Sequence, residues 1–141
     1  MDKNTAVWEW IQSFPDVKEL YFNFGAANNG ASVLIPNPTD NVISTDITGI
    51  KTCRYDFAYA VFLTYDSTTP YGTTNISSLN AAEDFGRWIA AQDADKSYPD
   101  FGTGCIITGV RVLSNSPIAT AVTETITKYV TQVRIEYEQY D

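Results

Sequence analysis

Hydrophobic positions change period several times along this chain, and each change marks an element. Val7, Trp10, Ile11 and Phe14 recur at helical spacing, which predicts an amphipathic helix over 4–14. Asn4 or Thr5 can cap its start and Pro15 ends it, while Trp8 lies off the stripe and is free to face a neighbouring element or another subunit. Over 18–24 the period drops to two, with Leu20, Phe22 and Phe24 on one side of a half-buried strand. Asn28-Asn29-Gly30 reads as a hairpin turn, 32–35 as the returning strand, and Pro36-Asn37-Pro38 as its stop. Residues 39–50 are polar and β-branched, an irregular arm or an edge strand.

The clearest strand covers 53–65. Tyr55, Phe57, Tyr59, Val61, Leu63 and Tyr65 define its core face, and Ala58 and Ala60 open the other face to close approach, for which a helix is the natural candidate. A Ser-, Thr-, Pro- and Gly-rich loop follows at 66–77. A second helix is predicted at 79–92, with the stripe Leu79, Ala82, Phe85 and Ile89, an Asn80/Glu83 capping box and a Glu83–Arg87 pair. Residues 93–104 read as loop, 105–113 as a strand, 114–117 as a turn and 118–126 as an extended arm. The final strand, 128–138, puts Tyr129, Val133, Ile135 and Tyr137 on one face and charged residues on the other. Strands come in adjacent runs, not in strict alternation with helices. This order predicts one α+β domain over 1–141, with an antiparallel or mixed sheet of about five strands and two helices packed on one face.

Composition narrows the chemistry. The 141 residues contain no histidine, which removes the commonest general base and metal ligand and every Ser-His-Asp or Cys-His mechanism. Neither GxxxxGK[ST] nor GxGxxG occurs. A net charge of −8, with the nine basic residues scattered singly, argues against a nucleic-acid footprint. Only 18% of residues are charged, so the surface is rich in neutral polar groups that suit subunit packing. Cys53 and Cys105 read as two reduced thiols in a protein without a signal peptide, and no apolar run reaches the ~20 residues of a membrane span.

Four further patterns have bland readings. Asp84-Phe85-Gly86 matches the kinase triplet but falls within a predicted helix without companion motifs. Asp93, Asp95 and Asp100 form an acidic loop without calcium-loop spacing. Asn75-Ile76-Ser77 matches a glycosylation sequon. Asp56, mid-strand, is the one carboxylate to inspect for a glycosidase-like mechanism, against an ion pair with a neighbouring strand or a residue facing solvent or a subunit interface. The expectation is therefore no catalytic, cofactor-binding or metal-binding residues and no cofactor.

Six blocks occur in order along the chain: Val7-Trp8-Glu9-Trp10-Ile11, Leu20-Tyr21-Phe22-Asn23-Phe24-Gly25, Ile35-Pro36-Asn37-Pro38, Arg54-Tyr55-Asp56-Phe57-Ala58, Tyr98-Pro99-Asp100-Phe101-Gly102 and Arg134-Ile135-Glu136-Tyr137. Together they resemble the tail-terminator or tail-completion proteins, also labelled minor capsid proteins, of phages and prophages of Gram-positive bacteria. The resemblance implies an α+β domain, a homohexameric ring and a virion structural protein of the tail or head–tail junction, assembled in the bacterial cytoplasm. The implied partners are the tail tube protein, the head–tail connector or adaptor, and the sheath protein where the tail is contractile. DNA would pass through the ring without sequence-specific binding, and no membrane is involved. A head-side joining or minor capsid protein is the alternative role, a headless bactericidal tail the alternative particle, and a small carboxylate enzyme the remote alternative. The segments 39–50, 66–77 and 118–126 are the expected sources of ring and tube contacts.

Overall fold

A computed structural model describes residues 3–17, 19–23, 30–37, 42–64, 73–113, 117–122 and 126–140. Two helices and seven strands follow in the order α1 (Lys3–Ile11), β1 (Glu19–Phe22), β2 (Ala31–Pro36), β3 (Val42–Thr45), β4 (Lys51–Thr64), α2 (Thr73–Asp95), β5 (Cys105–Val112), β6 (Ile118–Ala121) and β7 (Ile126–Gln139). The class is α+β, as expected, with a mixed sheet of seven strands in place of five.

The sheet is organised by its two 14-residue strands, β4 and β7, which pair antiparallel along their whole length. β7 alternates buried and half-buried residues, as a sheet with one deeply buried face requires, while β4 also buries Asp56, Ala60 and Phe62 on its other face. Short strands extend both edges. On the β4 side, β2 pairs with its later half and β3 with its start; on the β7 side, β5 pairs with its later half and β6 with its start. The segment 39–50 therefore contains an edge strand. Within the segment 118–126, expected as an extended arm, residues 118–121 are a strand hydrogen-bonded to β7.

The expected hairpin over 18–35 is not formed. β1 and β2 are parallel, with Glu19 beside Ala31 and Phe22 beside Leu34. A hairpin needs one reversal, whereas a parallel return needs two. Asn23 (φ 69°) and Gly30 (φ 87°) stand at the two ends of the connection in left-handed conformations that make such reversals possible. Asn28 and Asn29 lie outside the described residues.

Both helices cover the same face of the sheet, the face of Tyr55, Phe57, Tyr59, Val133, Ile135 and Tyr137. The helix expected against Ala58 and Ala60 is not there. Ala60 belongs instead to a smaller cluster on the opposite face, with Ala31, Val33 and Phe62. Aromatic side chains offer more apolar area per residue, so the helices follow the tyrosine and phenylalanine face. Phe85 stacks on Tyr59 at 3.9 Å between ring centroids, and Phe14 meets Phe85 edge-on at 5.5 Å. Trp10 and Trp88 lie 5.1 Å apart, and Trp10 Nε1 donates to the Ser97 carbonyl (2.9 Å).

Helix α1 ends at Ile11; Ser13 and Phe14 continue it as tighter turns through bonds to Trp10 and Ile11. Asn4 is not a cap, since the helix starts at Lys3, and its Oδ1 accepts from the Tyr55 hydroxyl (2.5 Å). Trp8 packs, half-buried, against the core. Helix α2 starts at Thr73, within the expected loop 66–77, so Asn80 and Glu83 lie inside it and form no capping box. Buried Ser78 donates to the Thr64 carbonyl (2.6 Å) and ties the early part of α2 to the end of β4. Of the expected stripe, Ala82, Phe85 and Ile89 are buried, while Leu79 is exposed.

Gly86 sits in the middle of α2, and a Cβ built there would meet only Val112 Cγ2, at 3.8 Å. Ordinary van der Waals contact combined with better helix propensity predicts that Gly86→Ala raises stability by about 0.5–1 kcal/mol. Urea denaturation checks this; a loss of stability would mean that α2 and β5 pack more tightly than this spacing implies.

Candidate interaction surfaces

The side of the sheet away from the helices carries the densest charge cluster on the described residues. It arises from two short patterns, Arg54-x-Asp56 on β4 and Arg134-x-Glu136 on β7, each with i, i+2 spacing that points both side chains to one face. Antiparallel register then sets Asp56 opposite Arg134 and Arg54 opposite Glu136, so each charge faces its complement. Arg134 clamps Asp56 with both arms, Nε to Oδ1 at 2.9 Å and Nη2 to Oδ2 at 3.1 Å. Arg54 Nε lies 3.9 Å from the same carboxylate. One strand further, Arg111 on β5 stands beside Arg134 and its Nε reaches Glu136 Oε1 at 3.2 Å. Asp56 is buried at 8% exposure, while the Arg111 side chain is 61% exposed. The Asp56 carboxylate holds the Arg134 guanidinium still more firmly protonated than usual, chiefly through these hydrogen bonds.

Asp56 is thus a carboxylate ion-paired with a neighbouring strand. The loose acidic loop does not exist as a unit. Asp93 and Asp95 belong to the last turn of α2, and Asp93 Oδ1 accepts from the Tyr98 hydroxyl (2.8 Å) and from the Val110 amide (3.0 Å), joining α2 to β5. Asp100 Oδ1 instead accepts from the Gly102 amide (2.8 Å) in its own turn. Among the described residues no three Cys, Asp or Glu side chains converge as a metal site. Asp84-Phe85-Gly86 is helical: Asp84 bonds Arg87, and Phe85 is core. Glu83 pairs with Arg87 as expected, at 3.5 Å. Asn75-Ile76-Ser77 lies near the start of α2.

Cys53 and Cys105 are both free. They sit on β4 and β5, with β7 between them. Two strand spacings, with an offset of two residues along β7 between their partners Tyr137 and Gln139, put their Cα atoms more than about 10 Å apart, beyond the roughly 7 Å that a disulfide can bridge. Tyr137 lies beside Cys53 in the register, and burial pushes its phenol strongly up, helped by the two thiols. Burial is also the main cause of the raised phenols of Tyr59 and Tyr129. A phenol whose pKa is raised by folding stabilises the fold below its unfolded value, near 10, and loses that contribution as pH rises through the interval above it. We therefore expect steep loss of stability above pH ~10, with the buried phenols ionising only as near-ultraviolet circular dichroism disappears. Complete phenolate formation near pH 10 with that signal intact would refute this assignment.

The second exposed feature is the β3 edge. All four residues of β3 are exposed, and Val42, Ile43 and, in the following turn, Ile47 present apolar side chains to solvent. Asp46 braces this turn by accepting from the Thr48 and Ile50 amides (2.9 and 3.0 Å). An apolar strand edge is a template for pairing with another chain. Among the described residues no helix is long and apolar enough to cross a membrane.

The arginine patch was absent from the residues singled out by sequence; the paired Arg-x-Asp and Arg-x-Glu patterns were its only signal. No protein-family model matches this chain, and neither does any curated protein.

Proposed function

We propose that this chain is a structural subunit of a phage-type tail, a ring-forming tail terminator that caps the tail tube, stops its polymerisation and prepares the junction with the head. The observation that carries the reading is the ordered resemblance of six blocks, from Val7-Trp8-Glu9-Trp10-Ile11 to Arg134-Ile135-Glu136-Tyr137, to that family. The architecture is consistent with it: an α+β domain whose helices lie on one face, leaving charged and apolar strand surfaces for neighbours.

Capping is a matter of unequal faces. A subunit that joins its own kind through two different surfaces closes into a ring when the rotation allows it. One side of that ring matches the tube subunit and the other does not template a further tube ring. The exposed β3 edge is suited to such contacts because its backbone groups and apolar side chains have no neighbouring strand on that side among the described residues.

The test is to mix the protein with polymerising tail tube protein and image the products. The expected result is tubes of shortened, arrested length carrying density at one end. Tubes of unchanged length and bare ends would overturn the reading, and binding to portal or adaptor in place of tubes would favour a head-side joining role.

A further inference from the structure

We propose that the sheet face bearing Arg54, Arg111 and Arg134 docks on the acidic, helix-bearing side of a second copy of this chain, so that copies associate front to back. This names the joining surfaces of the ring in the proposed function, and it rests on that reading only for closure into a ring.

The argument starts from where the charge lies. The chain carries −8 overall, yet its arginines are not spread evenly. Of the four, Arg54, Arg111 and Arg134 share one sheet face and only Arg87 is on a helix. Lys128 is on that sheet face too, by the alternation of β7, and the acids there are Asp56, Glu136, Glu138 and, on β1 beside Ala31, Glu19. The helix-bearing side has the opposite balance. Glu9, Asp16, Glu83, Asp84, Asp93, Asp95 and Asp100 lie on or between elements of that layer, against Lys3, Arg87, Lys96 and, on the same face of β4 as Cys53, Lys51. Arg87 is committed to Glu83 and Asp84, and Lys3 lies over the rings of Phe101 and Tyr137. One side is therefore close to neutral with exposed guanidinium, and the other carries an excess of carboxylates.

The sheet face also has apolar surface to bury. Ile35 on β2 and Ile106 on β5 flank the arginine cluster and are 37% and 56% exposed. An arginine-rich centre with aliphatic neighbours is the composition of a protein interface. A polyanion such as duplex DNA is a poorer match: each clustered arginine has a carboxylate in reach, and the chain as a whole repels phosphate. A second copy of this chain provides isolated carboxylates on a folded surface, which can add to the network without displacing it.

The test is sedimentation equilibrium of the intact chain alone, over the full soluble concentration range. The wild type is expected to associate, and more weakly as salt is added. Arg111→Glu is expected to weaken association by about tenfold or more, and Glu9→Lys combined with Asp95→Lys to do the same from the other side. Mixing the two variants is expected to restore association, because each then meets the opposite charge on both of its faces. If Arg111→Glu fails to fold, Arg111→Gln, which retains a donor for Glu136, carries the same arm. A monomeric wild type, an Arg111→Glu chain that associates normally, or a mixture that stays dissociated would each overturn the proposal. So would tight binding of fluorescent duplex DNA that Arg111→Glu abolishes. Normal association with failed tube capping would leave this interface standing and remove the capping reading.

Discussion

Asp56→Asn is expected to destabilise the protein by about 2–3 kcal/mol. The substitution keeps the shape of the side chain and removes only its charge and one pair of acceptor sites. What it leaves behind is costly. Arg134, held by two short hydrogen bonds to Asp56, keeps a full charge on a side chain that is only 22% exposed. Arg111 stands directly beside it on β5 and Arg54 lies diagonally across on β4, so the uncompensated charge would sit among two further guanidinium groups, with Glu136 already engaged by Arg111. Removing one partner from a buried pair costs more than replacing both, because the survivor is stranded away from water. The double replacement Asp56→Leu with Arg134→Met should therefore be less damaging than Asp56→Asn alone. Urea denaturation of the two variants and of Arg134→Met gives the coupling directly. A loss below about 0.5 kcal/mol for Asp56→Asn would show that water already screens the pair, as it does for surface ion pairs.

The Asp56–Arg134 pair illustrates what the sequence could and could not tell. The alternation of β4 and β7 was readable residue by residue, because one face of each is a run of aromatic and branched side chains. That alone gave the class and the core face. The pair itself joins residues 78 positions apart, and only the register between the two strands makes them meet. A one-residue slip would have put Asp56 against the apolar face of β7. The direction of β1 relative to β2 was hidden for a related reason: an Asn-Gly pair signals a turn, not how many turns follow. The early turns of α2 were hidden because Thr73, Thr74, Asn75, Ser77 and Ser78 are weak helix formers whose helical state depends on tertiary anchoring, visible in the Ser78–Thr64 bond. The choice of face by the helices also ran against the small residues at Ala58 and Ala60, since burying the aromatic face gains more. The proposed assembly role rests on ordered blocks of sequence, and the fold adds only exposed strand surfaces.

Phe85→Ala is expected to have the largest effect of any single substitution considered, a loss of about 3–5 kcal/mol. Phe85 is 1% exposed and stands where both helices meet the sheet. Its ring stacks on Tyr59 of β4, meets Phe14 after α1 edge-on, and lies 6.0 Å from Trp88 one turn along its own helix. Truncation removes the transfer energy of the ring and leaves a cavity walled by three rigid aromatic side chains, which collapse into it less readily than aliphatic ones. Domains of this size have a total stability of about 5–15 kcal/mol, so the change consumes a large part of it. Phe85→Leu separates the two contributions. It restores most of the volume but none of the stacking, and is expected to cost about 1–2 kcal/mol. The two values should differ most clearly in near-ultraviolet circular dichroism, where loss of the ordered Trp10, Phe14, Tyr59 and Trp88 environment shows directly. If Phe85→Ala cost no more than Phe85→Leu, the helices would be held by their outer contacts, such as Trp10 Nε1 on Ser97 and Asp93 on Val110, and the aromatic cluster would be filling space without fixing the layer.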